Sequence, residues 1–134
     1  MRNRVLFDTN LLISAALNPV GLPSQAFHHA LDFYDVCICA QNLEELRDFS
    51  PKKAGKRFPL VQAFTEFVEK TVTIVPIPKD KSPLEEKIRD VNDRPILRAA
   101  IYAGVDIILT GDRDFLESGI ESPRIMTASE FLDL

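Results

Sequence analysis

Acidic residues follow two apolar, β-branched runs of the sequence, at the point where each run ends. Asp8 comes directly after Val-Leu-Phe, and Asp112 comes directly after Ile-Ile-Leu-Thr-Gly. Because ligand sites of open parallel sheets lie beyond the carboxyl ends of the strands, we expect both carboxylates to project into one crevice. Asp114 lies in the same turn as Asp112, and Asp93, at a predicted helix start, can face the same edge of the sheet. Convergent carboxylates are the ligands that hard divalent ions such as Mg²⁺ and Mn²⁺ require, so the spacing predicts a metal site.

Each of these acids also has a purely structural interpretation. Asp8 and Asp93 could cap the helices that follow them, and Asp112 could be an ordinary turn residue. Their joint placement favours the metal site, because three unrelated caps would not all be expected at strand and helix ends that share one edge. A further acid comes from an amphipathic helix, where Glu44 and Glu45 adjoin. Helical glutamates are usually solvated, and the residue types alone do not choose between these two.

The elements that must position the acids alternate between strands and helices along the chain. Apolar runs rich in β-branched residues predict strands, and they cover residues 5–7, 35–39, 72–75, 106–109 and 124–126. Segments of helical period separate these runs, as in βαβ units. We therefore predict an α/β fold, a three-layer α/β/α sandwich with a mostly parallel sheet of about five strands. The length of 134 residues fits one domain that spans residues 1–134.

Several helix ends carry sequence signals of their own. Ser24 is the predicted N-cap of the second helix. Asp93 is the predicted N-cap of a later helix, with Pro95 in its first turn. Thr127 and Glu130 match a capping box for the last helix. These signals place the predicted ligand Asp93 at the start of a helix rather than within one.

The composition is that of an ordinary globular protein, with 46% apolar and 27% charged residues, which argues against disorder, a fibre or a membrane span. We expect no signal peptide, because Asp8 and Asn10 interrupt the apolar stretch near the N-terminus. Cys37 and Cys39 are two residues apart on a predicted strand, so both thiols should lie on one face as a buried apolar pair. Without a disulfide framework, we expect the protein in a reducing cytoplasm.

The net charge of −4 would ordinarily argue against a nucleic-acid partner. If five acids bind metal, however, 15 acids remain against 16 Lys and Arg residues. These five are Asp8, Glu45, Asp93, Asp112 and Asp114. Basic residues also cluster within residues 47–57, and the candidates there for contact with substrate phosphates are Lys52, Lys53, Lys56 and Arg57. A solvated loop is an equally open interpretation of this segment.

Four segments of the chain together resemble the successive motifs of the PIN-domain family. They are Leu6-Phe-Asp-Thr-Asn10, Asn92-Asp-Arg-Pro-Ile-Leu97 with Ala100, Ile108-Leu-Thr-Gly-Asp-Arg-Asp-Phe115, and the closing Arg124-Ile-Met-Thr-Ala-Ser-Glu-Phe-Leu132. Each motif is short, but their order, spacing and strand context cover essentially the whole chain. The nearest branch is the prokaryotic group of VapC-like toxins and predicted nucleic-acid-binding proteins.

The resemblance implies a metal-dependent endoribonuclease that uses Mg²⁺ or Mn²⁺ and leaves a 3′-hydroxyl and a 5′-phosphate. The metal-binding set that it implies is Asp8, Glu45, Asp93 and Asp112. Glu45 is selected over Glu44 because the family's acid directly precedes a leucine. Asp114 would be an auxiliary catalytic acid, and Asn10 and Thr110 match small polar positions that shape the site. RNA, an antitoxin protein and a second copy of the chain are the partners implied, with no membrane.

Two other functions remain open. A phosphohydrolase that uses Asp8 as a covalent nucleophile would commonly need a second acid two residues on, where this chain has Asn10. The other is a PIN-like module that binds RNA or a partner without catalysis, and the full set of acids argues against it. His28 and His29 are adjacent on a predicted helix, so their side chains diverge by about 100° and we expect a structural role rather than a zinc site. Asp90 precedes Asp93 by three residues and could support it, although a surface acid is the favoured interpretation.

Overall fold

The protein is built on a five-stranded sheet, which a computed structural model describes together with the rest of residues 2–134. All neighbouring strands pair in parallel. In spatial order the strands are β3 (Thr73–Val75), β2 (Asp35–Cys39), β1 (Arg4–Phe7), β4 (Ile107–Leu109) and β5 (Arg124–Met126). The predicted α/β fold with a parallel sheet is confirmed. Because the chain starts at the central strand and winds to either side, the carboxyl ends of β1 and β4 flank the point where the strand order reverses.

Helices connect the strands and cover the sheet. The α-helices are α1 (Thr9–Leu17), α2 (Leu22–Phe33), α3 (Ala40–Arg47), α4 (Pro51–Ala54), α5 (Phe58–Thr71), α6 (Arg94–Tyr102), α7 (Arg113–Leu116) and α8 (Ala128–Leu132). Two short 3₁₀ helices span Gly55–Arg57 and Pro83–Lys87. Among residues 2–134, the structure has no helix with both the length and the apolar character needed to cross a membrane.

The sheet separates two apolar cores, because successive strand residues point to opposite faces. Val5 and Phe7 of β1 pack on one face with residues of α1, α2, α5 and α8. Leu6, between them in sequence, packs on the other face with residues of α6 and with Phe115 of α7. This arrangement is the predicted three-layer sandwich, and it fixes the directions in which β1 and β4 deliver the residues that follow them.

The two cysteines belong to the second of these cores. Cys37 and Cys39 are fully buried and contact apolar residues of the same cluster. Burial raises the pKa of the Cys37 thiol to about 12 and that of Cys39 to about 11, so both stay protonated at neutral pH. The predicted buried apolar pair is confirmed.

Helix ends follow the sequence signals in part. The capping box of Thr127 and Glu130 is confirmed at the start of α8. Ser24 is not the N-cap of α2, because the helix begins earlier, with Gly21 as the N-cap. Pro23 fits the first helical turn, where no backbone N–H is needed, and this shifts the helix start ahead of Ser24. Ser24 is consequently buried inside the first turn.

The basic segment is helical rather than a loop. Pro51 begins α4, and the Ser50 hydroxyl caps it by accepting a hydrogen bond from the Lys53 N–H at 3.4 Å. The polar segment 79–90, which has no clear sequence signal, contains the second 3₁₀ helix. That segment is attached to α6 by Glu85, whose buried carboxylate accepts two hydrogen bonds from the Arg98 guanidinium.

Candidate metal centre

Asp8 lies at the carboxyl end of β1 and is held from two sides. Its backbone N–H donates to the Leu109 carbonyl of β4 at 2.9 Å, which continues the strand pairing by one residue. Its carboxylate accepts hydrogen bonds from the Thr9 N–H and the Thr110 hydroxyl, both at 2.8 Å. Only 4% of Asp8 is exposed, and this burial raises the pKa of the carboxyl even though both hydrogen bonds favour the ionised form. The side chain is therefore fixed in direction and costly to ionise without a counter-charge.

Thr110 joins the Asp8 carboxylate to the turn that carries Asp112. The fully buried Thr110 hydroxyl donates to Asp8 and accepts from the Asp112 N–H at 3.0 Å. The Asp112 carboxylate in turn accepts from the Asp114 N–H at 2.8 Å and so caps α7. The structure thus places Thr110 between two of the predicted ligands, as expected for a residue that shapes the site.

Asp93 occupies the N-cap position of α6, but among residues 2–134 its side chain finds no backbone N–H to cap. The predicted N-cap position is confirmed, but the side chain makes no capping hydrogen bond within the described residues. Capping residues are usually extended, whereas Asp93 has helical φ and ψ of −90° and −15°, which turn its carboxyl away from the first turn. The carboxyl instead faces other acids. Its Oδ2 atom is buried without a hydrogen-bond partner in the described part of the chain.

The neighbours of Asp93 perturb its ionisation strongly. The pKa of Asp93 is raised from 3.8 to about 8, and burial is the largest cause. A hydrogen bond to Asp112 and the negative charges of Asp112, Asp8 and Asp90 contribute in the same direction. At neutral pH the Asp93 carboxyl is therefore mostly protonated. A cation at this place would offset the repulsion among these acids.

Glu45 approaches Asp8 from the last turns of α3. Its Oε1 accepts a hydrogen bond from the Thr9 hydroxyl at 3.3 Å, and its charge adds to the rise in the pKa of Asp8. Glu44 acts on Arg47 instead. Of the two adjacent glutamates, Glu45 therefore lies near Asp8, whereas Glu44 lies near Arg47.

Asp114 lies next to Asp93, one of these four acids. One carboxylate oxygen each of Asp90, Asp93 and Asp114 lies within 4.8 Å of the other two, a distance at which one ion could contact all three. Asp114 also pairs with Arg89 at 2.9 Å. Asp90 therefore lies beside Asp93, the alternative to the surface position that the sequence favoured. Its carboxylate additionally accepts from the Asn92 N–H at 2.9 Å.

Sequence reasoning overlooked two residues of this site. Asn42 is fully buried, and its amide donates to the Thr9 hydroxyl at 2.9 Å. Thr9 lies between Asp8 and Glu45 and donates to each. The available signal was weak: Asn42 stands one helical turn before Glu45, and Thr9 directly follows Asp8. Neither spacing predicts contact until α1 and α3 are known to pack together.

A cleft of about 340 Å³ opens beside Glu45. Its walls include Thr9, Asn10, Glu45 and Lys53, so the structure brings Asn10 and one of the four predicted substrate-binding residues to the site. The other three, Lys52, Lys56 and Arg57, are exposed on the same helical segment but do not line this cleft.

The histidines take no part in the cluster of acids described above. The ring of His29 packs against Phe33 at a centroid distance of 4.9 Å and against Phe131 at 5.7 Å. The ring of His28 lies edge-on to that of Phe27 at 6.2 Å. These aromatic contacts are those of structural residues.

The donor set fits a hard divalent cation. Such ions prefer oxygen ligands, and Asp8, Glu45, Asp93 and Asp112 carry carboxylates on different elements. Among residues 2–134, the carboxylate oxygens that converge within 4.8 Å are those of Asp90, Asp93 and Asp114. The buried, unpartnered Oδ2 of Asp93 and the raised pKa values of Asp8 and Asp93 are what a group of acids shows when its counter-charge is absent.

Comparison with known proteins agrees with the fold and the order of the motifs. No curated protein matches the sequence. Among solved structures, one chain of VapBC2 from Rickettsia felis bound to a promoter DNA fragment is similar, with a TM-score of 0.68 and 15% identity over 92% of this chain and 98% of that chain. DNA-bound VapBC from Salmonella typhimurium gives 0.65 and 19%, over 94% and 98%. FitAcB from Neisseria gonorrhoeae gives 0.59 and 20%, over 93% and 98%. The PIN-domain family model matches residues 4–114, which include every predicted metal ligand, and the chain belongs to the PIN-domain family.

Proposed function

We propose that the protein is a metal-dependent endoribonuclease that hydrolyses RNA phosphodiester bonds at Asp8, Glu45, Asp93 and Asp112. The observation that carries the proposal is the buried Oδ2 of Asp93, which has no partner in the described residues and faces three further acids. A structural role would have given this carboxylate a donor, either a backbone N–H or a basic side chain. The chain belongs to a family whose members are typically nucleases. A catalytic cation is therefore the best explanation for the missing donor to Asp93.

The cation that fits is Mg²⁺ or Mn²⁺. When bound, such an ion neutralises charge that develops on a phosphodiester and lowers the pKa of a water that can attack it. The chain's own contribution is orientation. Thr110 fixes Asp8 relative to the Asp112 turn, and the α7 cap holds the Asp112 carboxylate in place. Asp114, which Arg89 partly neutralises, would assist as an auxiliary acid.

RNA is the proposed substrate, and the basic helical segment is its proposed contact surface. Lys53 borders the cleft beside Glu45, so it can reach a phosphate next to the one being cut. Lys52, Lys56 and Arg57 are exposed along the same segment and would contact phosphates further along the strand. Hydrolysis would leave a 3′-hydroxyl and a 5′-phosphate.

We further propose that the protein acts as the toxin of a toxin–antitoxin pair and forms a homodimer. The similar structures from Rickettsia felis and Salmonella typhimurium are VapBC proteins bound to DNA, and this supports a partner protein for the present chain. Co-purification with the product of a neighbouring gene would test the antitoxin. Light scattering of the purified protein would test the dimer.

The decisive experiment for the nuclease is incubation of the purified protein with total cellular RNA, with either Mn²⁺ or EDTA, followed by mapping of the cut ends. We expect new 5′-phosphate ends with Mn²⁺ only, and none with Asp93→Asn. Ends that appear equally in EDTA, or equally with the variant, would contradict the proposal. RNA that is bound but never cut would favour the non-catalytic module, and an acyl-phosphate on Asp8 would favour the phosphohydrolase.

A further inference from the structure

The orientation of the buried Asn42 amide is determined by its two hydrogen bonds. Its Oδ1 accepts from the Cys39 N–H at 3.1 Å, which completes a capping box at the start of α3. Its Nδ2 donates to the Thr9 hydroxyl of α1 at 2.9 Å. Because the backbone N–H of Cys39 can only donate, the amide oxygen must face it, and the amide nitrogen must face Thr9. The cap of α3 thus fixes a donor that points at α1.

This donor determines what the Thr9 hydroxyl can do. A hydroxyl has one hydrogen, and because its oxygen accepts from Asn42, that hydrogen is available to the Glu45 Oε1 at 3.3 Å. The backbone N–H of Thr9 meanwhile donates to Asp8 at 2.8 Å. One residue therefore holds two carboxylates by two separate donors, and Asn42 sets the direction of the second.

Glu45 needs such a restraint more than the other acids do. It lies at an exposed position of α3, and its long side chain would otherwise sample several rotamers in water. Capping of α3 requires only the bond from Cys39 to the Asn42 oxygen, so the cap alone does not explain the second bond to Thr9. Partners that lie behind ligands commonly orient them in metal sites.

We propose that Asn42 is a positioning residue that acts through the Thr9 hydroxyl to hold the Glu45 carboxylate beside Asp8 for a divalent cation. The proposal rests on the metal site proposed above and extends it by two residues outside the acid set. It concerns the binding of the ion as well as cleavage, so it has a readout besides activity.

The test measures Mn²⁺ binding to the purified full chain. The concentration of free Mn²⁺ is read from its electron paramagnetic resonance signal. Thr9→Val keeps the side-chain shape and the backbone N–H that donates to Asp8, but it removes the hydroxyl. Thr9→Ser, the matched control, keeps the hydroxyl. We expect about tenfold weaker Mn²⁺ binding for Thr9→Val and for Asn42→Ala, which is the lower end for loss of a residue that orients a ligand. Thr9→Ser should stay within about twofold of the wild type.

Two double variants separate positioning from loss of structure. In a Glu45→Gln background, Thr9→Val should weaken Mn²⁺ binding no further, and in a Thr9→Val background, Asn42→Ala should have no added effect. A purely structural defect would persist in both. Thermal unfolding confirms that each variant is folded. If Asn42→Ala does not fold, the comparison of Thr9→Val with Thr9→Ser tests the proposal alone.

The outcomes distinguish the proposal from the function beneath it. If the wild type binds Mn²⁺ and Glu45→Gln weakens binding, but Thr9→Val matches the wild type or adds its full effect to Glu45→Gln, the positioning role is wrong and the metal site stands. If the wild type binds no Mn²⁺, the metal site is overturned, and the positioning role with it.

Discussion

Replacement of Asp93 by Asn should stabilise the metal-free protein and weaken its response to metal. The pKa of Asp93 is about 8 in the folded protein and 3.8 in an unperturbed carboxyl. Between these pH values the folded state keeps a proton that the unfolded chain has lost, so the free energy of unfolding falls as the pH rises. Asn resembles the protonated acid and has no such cost. Among the described residues no capping hydrogen bond is lost, because Asp93 makes none.

The magnitude follows from the same two pKa values. Applied in full at pH 7, the difference would cost the folded state about 4 kcal/mol. The carboxyl is only half-buried, and solvent screens its interactions, so we expect Asn to recover about 1–2 kcal/mol. For a domain of this length, that is a rise of about 3–10 °C in melting temperature.

The assay is thermal unfolding of both proteins in EDTA between pH 5 and pH 8.5, repeated at pH 7 with Mn²⁺. The stabilisation by Asn should increase as the pH rises towards 8. The wild type should gain about 2.7 kcal/mol at an Mn²⁺ concentration of 100 times Kd, and the variant less. Asp32→Asn removes an equal charge from an exposed position of α2 and should change neither value. A lower melting temperature for the metal-free variant, with the metal response intact, would refute the reasoning and return Asp93 to a structural role.

Three further predictions concern the rest of the site. Asp112→Asn should also raise the melting temperature in EDTA and shrink the gain with Mn²⁺, because Asn still caps α7; a lower value in EDTA with an undiminished gain would show a structural role. Asp8→Asn should abolish Mn²⁺-dependent cleavage of RNA while circular dichroism shows an intact fold, and cleavage at the wild-type rate would remove Asp8 from the site. Neutralising the four basic residues Lys52, Lys53, Lys56 and Arg57 should flatten the salt dependence of RNA binding, measured by fluorescence anisotropy. An unchanged slope would mean that RNA follows another surface.

The sheet and the positions of the acids at its edge could be predicted from the sequence. Strands buried on both faces read as continuous apolar runs, and the residues that end such runs must emerge at one edge. Asp8 and Asp112 are of this kind. β3 and β4 each begin one residue later than predicted, which leaves the carboxyl ends, where the acids lie, unaffected.

The remaining features depend on packing that no local pattern encodes. The contact of Asn42 with Thr9 arises because α1 and α3 lie side by side, although 33 residues separate the two in sequence. The N-cap position of Asp93 was predicted correctly, but the missing side-chain hydrogen bond was not. The sequence Asp-Arg-Pro does not reveal whether Asp93 is extended, as a capping side chain requires, or helical, as it is in the structure.

The hydrogen bond between Thr110 and Asp8 has a consequence for synthesis of the chain. It joins residues 102 positions apart, and β1 pairs with β4, which ends only at Leu109. During translation the chain must therefore emerge as far as Thr110 before Asp8 can meet this partner. Contacts of such long sequence separation also form late in folding, because loop closure must come first. Under the proposed function, a ribosome-bound or truncated fragment that lacks β4 should be inert towards RNA, because Asp8 is not yet held by Thr110.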